Sequence, residues 1–226
     1  MNRYRDNFNR VLSRIEAARL EADEHRIIKI VAASKYVDAK AIEAMYNIGH
    51  RSFGENRIQD FKAKEEILKD LPIEWHYIGR IQTNKINALL DLNPFLIHSC
   101  ESFEMAVEID KRAKVKNKKV NILLQINSAK EDTKAGIMPE DAIFEYHKIQ
   151  ENLENVQLKG IMSIGAHSED EEKVANSFII SSKIFETLKK DGAKYCSMGM
   201  SGDFELAIKH GSNMLRLGSV LFSEDN

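Results

Sequence analysis

Only two cysteines, Cys100 and Cys196, occur in the 226 residues, and neither belongs to a Cys-x-x-Cys or Cys/His spacing. That excludes a disulfide framework and a cysteine-based metal site. Buried, reduced thiols are expected in the two apolar runs that carry them. No apolar run approaches the length of a membrane span, and the opening Met-Asn-Arg-Tyr-Arg-Asp lacks the apolar core of a signal peptide. No membrane partner is expected, and the cytoplasm is the expected location. Charge of one sign is also missing: 33 Lys and Arg against 35 Asp and Glu leave a formal net charge of -2. This balance argues against nucleic acid or an anionic membrane surface as a partner. There is no internal repeat, no low-complexity linker and no Gly-x-Gly-x-x-Gly fingerprint after the first strand.

What is present is a chain long enough for one large domain, patterned as alternating strands and helices. Phe8, Val11, Leu12, Ile15, Ala18 and Ala22 mark an amphipathic extra helix over about residues 5–24. Apolar runs then predict strands over 27–34, 51–54, 74–79, 95–100, 120–126, 158–164, 195–199 and 214–222, separated by helical patterns. Gly49 and Gly192 read as helix stops, and Pro139 as the first residue of a helix. Ser168 and Glu171 stand at capping-box spacing before another helix. Regular alternation permits either a doubly wound sheet or a (β/α)8 barrel. The count of eight and the missing dinucleotide fingerprint favour a single-domain (β/α)8 TIM barrel over residues 1–226.

Such barrels bind ligands at the carboxyl ends of their strands. The polar residues expected there are Lys35, Asn56, His76, Asn127, Ser163, Ser201, Arg216 and Ser219. Lys35 ends the buried run Lys29-Ile-Val-Ala-Ala-Ser-Lys35, where a lysine with its pKa lowered by burial can attack a carbonyl as a Schiff-base amine. The alternative is a surface lysine. Met198-Gly-Met-Ser201-Gly-Asp203, with Gly218-Ser219 from the next strand, fits a phosphate site, because small residues let backbone N–H groups approach an anion. The even alternative is that Ser201 only caps its own helix. The basic run Lys111 to Lys119 reads as a solvated helix end, since it has no interleaved aromatics. His76 reads as a hydrogen-bonded core histidine rather than a general base, with no carboxylate at obvious spacing to orient it, and Glu55 as a surface carboxylate rather than an acid or base.

With these residues in view, the chain resembles the pyridoxal 5'-phosphate homeostasis protein family, single-domain barrels similar to the alanine racemase N-terminal domain (fold type III). The motifs are Ala33-Ser-Lys35, Phe53-Gly-Glu-Asn56, Trp75-His-Tyr-Ile-Gly79, Gln82-Thr-Asn-Lys85, Gln125-Ile-Asn127, Lys134-Ala-Gly136, Met198 to Asp203 and Arg216-Leu-Gly218. They span about Ile28 to Phe222 in family order. The resemblance implies that Lys35 holds pyridoxal 5'-phosphate as a Schiff base and that Ser201, Gly218 and Ser219 bind its phosphate. It also implies that Arg216 faces the pyridine nitrogen and that Asn56 lines the pocket. Tyr36 replaces a small hydroxyl residue common in the family, and Ser223 a usual glycine.

An arginine facing the ring nitrogen leaves it unprotonated and a weak electron sink. Racemases of this fold add a tyrosine from a second domain, for which this chain has no residues left. The expected function is therefore a non-catalytic, monomeric carrier that buffers pyridoxal phosphate and delivers it to apo-enzymes. The alternatives are a slow amino-acid racemase using Lys35 as base, and a cofactor-free lyase forming a Schiff base with a sugar phosphate.

Overall fold

The computed structural model describes residues 3–22, 26–131 and 133–223. Helix α1 (Arg3–Glu21) leads into β1 (Lys29–Ala33), α2 (Ala39–Asn47), β2 (Ser52–Glu55), α3 (Ile58–Ile67), β3 (Glu74–Tyr77) and α4 (Ile86–Asp91). Then come β4 (Leu96–Cys100), α5 (Phe103–Val115), β5 (Val120–Ile126), α6 (Ala142–Asn152), β6 (Val156–Ser163) and α7 (Glu171–Leu188). The chain continues through β7 (Tyr195–Ser197), α8 (Phe204–Lys209), β8 (Met214–Leu217) and the single turn α9 (Ser219–Phe222). All eight strands pair in parallel in chain order, and β8 returns to β1 with Lys29 opposite Met214 and Val31 opposite Arg216. The architecture is a closed (β/α)8 barrel.

Strand alternation divides the interior into two cores. Residues facing outward, such as Phe53 and Trp75, pack beneath the helices, with the Trp75 and Phe61 rings 5.2 Å apart. Val31, Leu96, Leu123, Met162 and Met214 form a separate apolar cluster. Their strand neighbours two residues away include Lys29, His98 and Arg216, so these polar side chains share the barrel's inner face. Gly49 (φ 109°) and Gly192 (φ 91°) adopt the left-handed conformation that ends a helix.

Several boundaries depart from the sequence reading, and four of them have a local cause or bear on the site. The extra helix ends at Glu21, while 23 and 24 lie outside the described residues. Helix α6 starts at Ala142, three residues after Pro139, which instead begins a turn. Asp170, not Ser168, caps α7, its carboxylate accepting from the Glu172 amide, while Ser168 accepts from the Asp170 amide. Strand β8 stops at Leu217, because the Gly218 amide leaves the ladder for Ser201 Oγ. The Leu221 and Phe222 amides then bond back to the Gly218 carbonyl, which winds 219–222 into a helical turn.

The surface is as the composition implies. Lys111 and Arg112 pair with Glu108, Lys116 with Asp91, and Lys118 donates to the Leu90 carbonyl, so the basic run is a solvated helix end. Cys100 and Cys196 are buried free thiols, both pushed up to about 12 by burial. Among the described residues no helix is long and apolar enough to cross a membrane, and no His, Cys, Asp or Glu group is arranged to hold a metal ion.

Candidate functional site

A cavity of about 740 Å³ is lined by residues at the carboxyl ends of the strands. Lys35, Asn56, Ser201, Arg216, Gly218 and Ser219 all line it. Ile78, Met162, Ile164 and Met200 supply apolar wall suited to a flat ring. Gly79 shapes the wall beside Asn56: a Cβ there would lie 2.0 Å from the Asn56 carbonyl oxygen, so the β2 and β3 ends can approach only with glycine.

Lys35 follows a tightly secured strand end. The Ser34 amide donates to the Gly54 carbonyl at 3.0 Å, and its hydroxyl donates to Glu55 Oε1 at 2.6 Å. Lys64 Nζ donates both to the Ser34 carbonyl and to Glu55 Oε1. Glu55 is fully buried, which corrects its reading as a surface carboxylate. Parity is the reason: Asn56 lines the cavity, so Glu55 must face outward beneath α3. The Lys35 side chain is half-buried, its Nζ stands 4.8 Å from the Tyr36 ring centroid, and no carboxylate pairs with it among the described residues. Its amine is available to a ligand.

Ser201 does not cap α8. Its Oγ accepts from the Gly218 amide at 3.1 Å and the Val220 amide at 3.4 Å, joining the turn after β7 to the turn after β8. Asp203 precedes α8 and accepts from the Met200 amide at 2.6 Å, closing the Met200–Asp203 turn. Gly199 (φ 94°) enters this turn, where a Cβ would lie 2.7 Å from that of Ala207. The result is a small-residue cradle of hydroxyls and amides, with α9 held from behind. Asn7 of α1 donates to the Leu221 and Ser223 carbonyls.

Arg216 is buried at the cavity floor. Nη1 donates to the carbonyl and the Oγ of Ser197, each at 2.8 Å, and Nη2 donates to the Ser163 carbonyl at 2.9 Å. Burial pulls its pKa down to about 10, which leaves it cationic at neutral pH. These bonds leave part of the guanidinium donor fork without an acceptor among the described residues.

Three residues expected at the cavity are placed elsewhere. Ser163 accepts from the Ser181 hydroxyl of α7 and reaches Arg216 only through its carbonyl. Asn127 ties down its own loop, donating to the Glu131 and Lys134 carbonyls. His76 lies deeper in the barrel, and a carboxylate does orient it: Glu74, two residues before it, sits 2.8 Å from Nε2. Sequence reading passed over Ser34, His98 and Ser197. The available signal for His98 was a charged-capable residue inside an otherwise apolar strand, as for His76.

The family model described as "Alanine racemase, N-terminal domain" matches residues 2–225. A pyridoxal phosphate homeostasis protein of Helicobacter pylori is 48% identical over 221 residues, covering 98% of this chain and 99% of the relative. The crystal structure of an unknown protein from Bifidobacterium adolescentis matches at a TM-score of 0.92 and 34% identity, over 97% of this chain and 94% of that one. PipY of Synechococcus elongatus, solved with PLP bound, matches at a TM-score of 0.78 and 31% identity over 87% of this chain and 92% of that one. Barrel, motifs and near full-length identity agree: the chain belongs to the pyridoxal phosphate homeostasis protein family, within the alanine racemase N-terminal domain fold.

Proposed function

We propose that the cavity holds pyridoxal 5'-phosphate and that the protein buffers this cofactor in the cytoplasm and delivers it to apo-enzymes, acting as a monomer without robust catalysis of its own. The observation that carries the reading is one cavity lined both by an amine with no carboxylate partner among the described residues and by a buried guanidinium with spare donors. Lys35 Nζ supplies the amine that holds the cofactor aldehyde as a Schiff base. Ser201 and Ser219 turn hydroxyls toward the phosphate, Gly218 leaves room for it by having no side chain, and Asn56 lines the wall beside Gly79. Arg216 directs an N–H at the ring nitrogen. The donor set fits an aromatic phosphate ester: small residues and hydroxyls for the phosphate, apolar wall for the ring, a guanidinium for the ring nitrogen and an amine for the aldehyde.

Pyridoxal phosphate supplies an electrophilic carbonyl and an electron sink, and this pocket uses the first while weakening the second. A fixed cation facing the ring nitrogen disfavours its protonation. Racemisation needs proton-transfer groups on both faces of the substrate carbon. Among the described lining residues there is neither a carboxylate nor an imidazole. Lys35 provides one face, and Tyr36 is 86% exposed beside it. Retention of a reactive aldehyde, not turnover, is what these groups support.

The test is the intact mass of the protein incubated with pyridoxal phosphate and reduced with borohydride. One cofactor adduct is expected on the wild type and none on folded Lys35→Ala. An adduct of equal yield on Lys35→Ala would sink the assignment. Robust deuterium exchange and racemisation of alanine by the wild type would overturn the carrier reading in favour of a racemase.

A further inference from the structure

Behind the cavity, inner polar residues that do not line it continue from Arg216 as one unbroken line through the barrel. It begins at Arg216, whose Nη1 donates to Ser197 Oγ at 2.8 Å. Ser197 Oγ stands 3.1 Å from His98 Nδ1, and His98 Nε2 stands 2.9 Å from His76 Nδ1. His76 Nε2 stands 2.8 Å from Glu74 Oε1, and the Glu74 carboxylate also takes Lys29 and the Ser52 hydroxyl. Ser197, His98 and His76 have no exposed surface, and they come from three different strands.

The protons on this line have one arrangement. Burial would raise the Glu74 carboxyl, but hydrogen bonds from His76, Lys29 and Ser52 outweigh it and hold it at about 2, so it is an acceptor at neutral pH. His76 therefore carries its proton on Nε2, and burial keeps it from taking a second one. Its bare Nδ1 must accept from His98 Nε2–H. Burial, aided by the charges of Arg216 and Lys29, keeps His98 neutral as well, so its Nδ1 accepts from the Ser197 hydroxyl. The Ser197 oxygen is then left with its lone pairs for Arg216. Every donor points from Arg216 toward Glu74.

We propose that the Ser197–His98–His76 column is a positioning device for Arg216, which holds the guanidinium at the cavity floor as a donor toward the cofactor ring. The inference rests on the reading of Arg216 as the group facing the ring nitrogen. A buried cation without a carboxylate at hydrogen-bond distance depends on oriented dipoles, and the column presents it with an acceptor polarised by each successive bond. The column's own negative charge, Glu74, stands at its far end, and Asp203, the carboxylate that acts on Arg216 from the turn before α8, accepts from the Met200 amide and makes no hydrogen bond to the guanidinium among the described residues. The line is a lock and not a conduit. Moving a proton along it would take that proton from a guanidinium that stays cationic to a carboxylate held well below its usual range, which is strongly uphill.

The test has two arms. Side-chain nitrogen NMR of the protein without cofactor is expected to find His76 and His98 neutral and protonated on Nε2 at pH 7. Protonation on Nδ1 of either ring, or a doubly protonated ring at that pH, would overturn the proposal. In the second arm His98→Leu, Ser197→Ala and His98→Gln are loaded with pyridoxal phosphate and compared by spectrum and dissociation constant. His98→Leu is expected to weaken binding about tenfold, the equivalent of one charge-assisted hydrogen bond, and to displace the long-wavelength band of the bound cofactor. His98→Gln, whose amide can both donate and accept, should restore the band. Ser197→Ala removes little volume and should behave as His98→Leu even where the leucine variant does not fold. Unchanged band and affinity in Ser197→Ala would sink the positioning role. Failure of the wild type itself to bind pyridoxal phosphate would instead remove the reading on which the proposal rests, a result the wild-type titration separates from the variants.

Discussion

Ser201 carries two tasks with one oxygen. It accepts from two amides of the turn after β8, and it lines the cavity with its hydroxyl. Ser201→Ala should therefore damage both the empty protein and the loaded one. Loss of the bridge is expected to lower the stability of the cofactor-free protein by about 1 kcal/mol, read from urea unfolding. Loss of a bond to the phosphate is expected to weaken cofactor binding roughly ten- to a hundredfold in a spectrophotometric titration. A variant with unchanged affinity would remove Ser201 from the phosphate site and leave it only as a bridge. Residues at strand ends, such as Lys35, Asn56 and Arg216, were legible because a barrel's carboxyl face collects them whatever its helices do. Glu55 was not: it takes the sign of its burial from parity against Asn56, and its partner Lys64 lies on the next helix. Ser163 was misread because its side chain and its carbonyl serve different neighbours.

At the scale of elements, the weakest-looking piece is the one the site depends on. The turn α9 is four residues long and follows Gly218, yet its first residue and its last both line the cavity. Its closing carbonyls are covered by α1 through Asn7, which is 5% exposed. This gives the amino-terminal extra helix a role that periodicity alone does not reveal, because the contact joins residues more than two hundred positions apart. Asn7→Ala strips two carbonyls of a shared donor, at a cost of about 1–3 kcal/mol. Faster dissociation of pyridoxal phosphate is expected together with a lower unfolding midpoint, measured by stopped-flow trapping and urea titration. If the midpoint falls while dissociation is unchanged, α1 supports the fold but not the cradle. The eight strands were legible as apolar runs, whereas the ends of β8, α6 and α7 were not. In each case a side chain or a turn amide competes with the ladder or the helix for the same backbone group, and pattern does not rank such competitors.

The whole molecule carries a polar line where a barrel of this size would otherwise be filled by branched apolar side chains, and that choice sets its response to acid. His50, His76 and His98 are all buried, and all have pKa values lowered first by burial. His50, which hydrogen-bonds the Ser52 carbonyl, is pulled from 6.5 to about 4. A histidine depressed in the folded state binds its proton more readily when the chain unfolds. Between pH 6.5 and pH 4 the unfolded chain therefore holds more protons, and stability falls as pH falls. For His50 alone the window of about 2.5 units corresponds to roughly 3 kcal/mol. The other two histidines add in the same direction. Glu74 is held down at about 2, so its contribution is present above 4.5 and is lost only as pH falls further, toward 2. Loss should thus begin at the histidines and end at the carboxylate. Urea midpoints of the cofactor-free protein are expected to be highest at pH 7–8 and to drop steadily from pH 6.5 to pH 4.5. His50→Gln, which keeps a donor for the Ser52 carbonyl but cannot take a proton, should flatten the slope by the share of one site. Midpoints that stay level from pH 7.5 to pH 5 would mean that these rings titrate normally, and the buried line with its single proton arrangement would have to be abandoned.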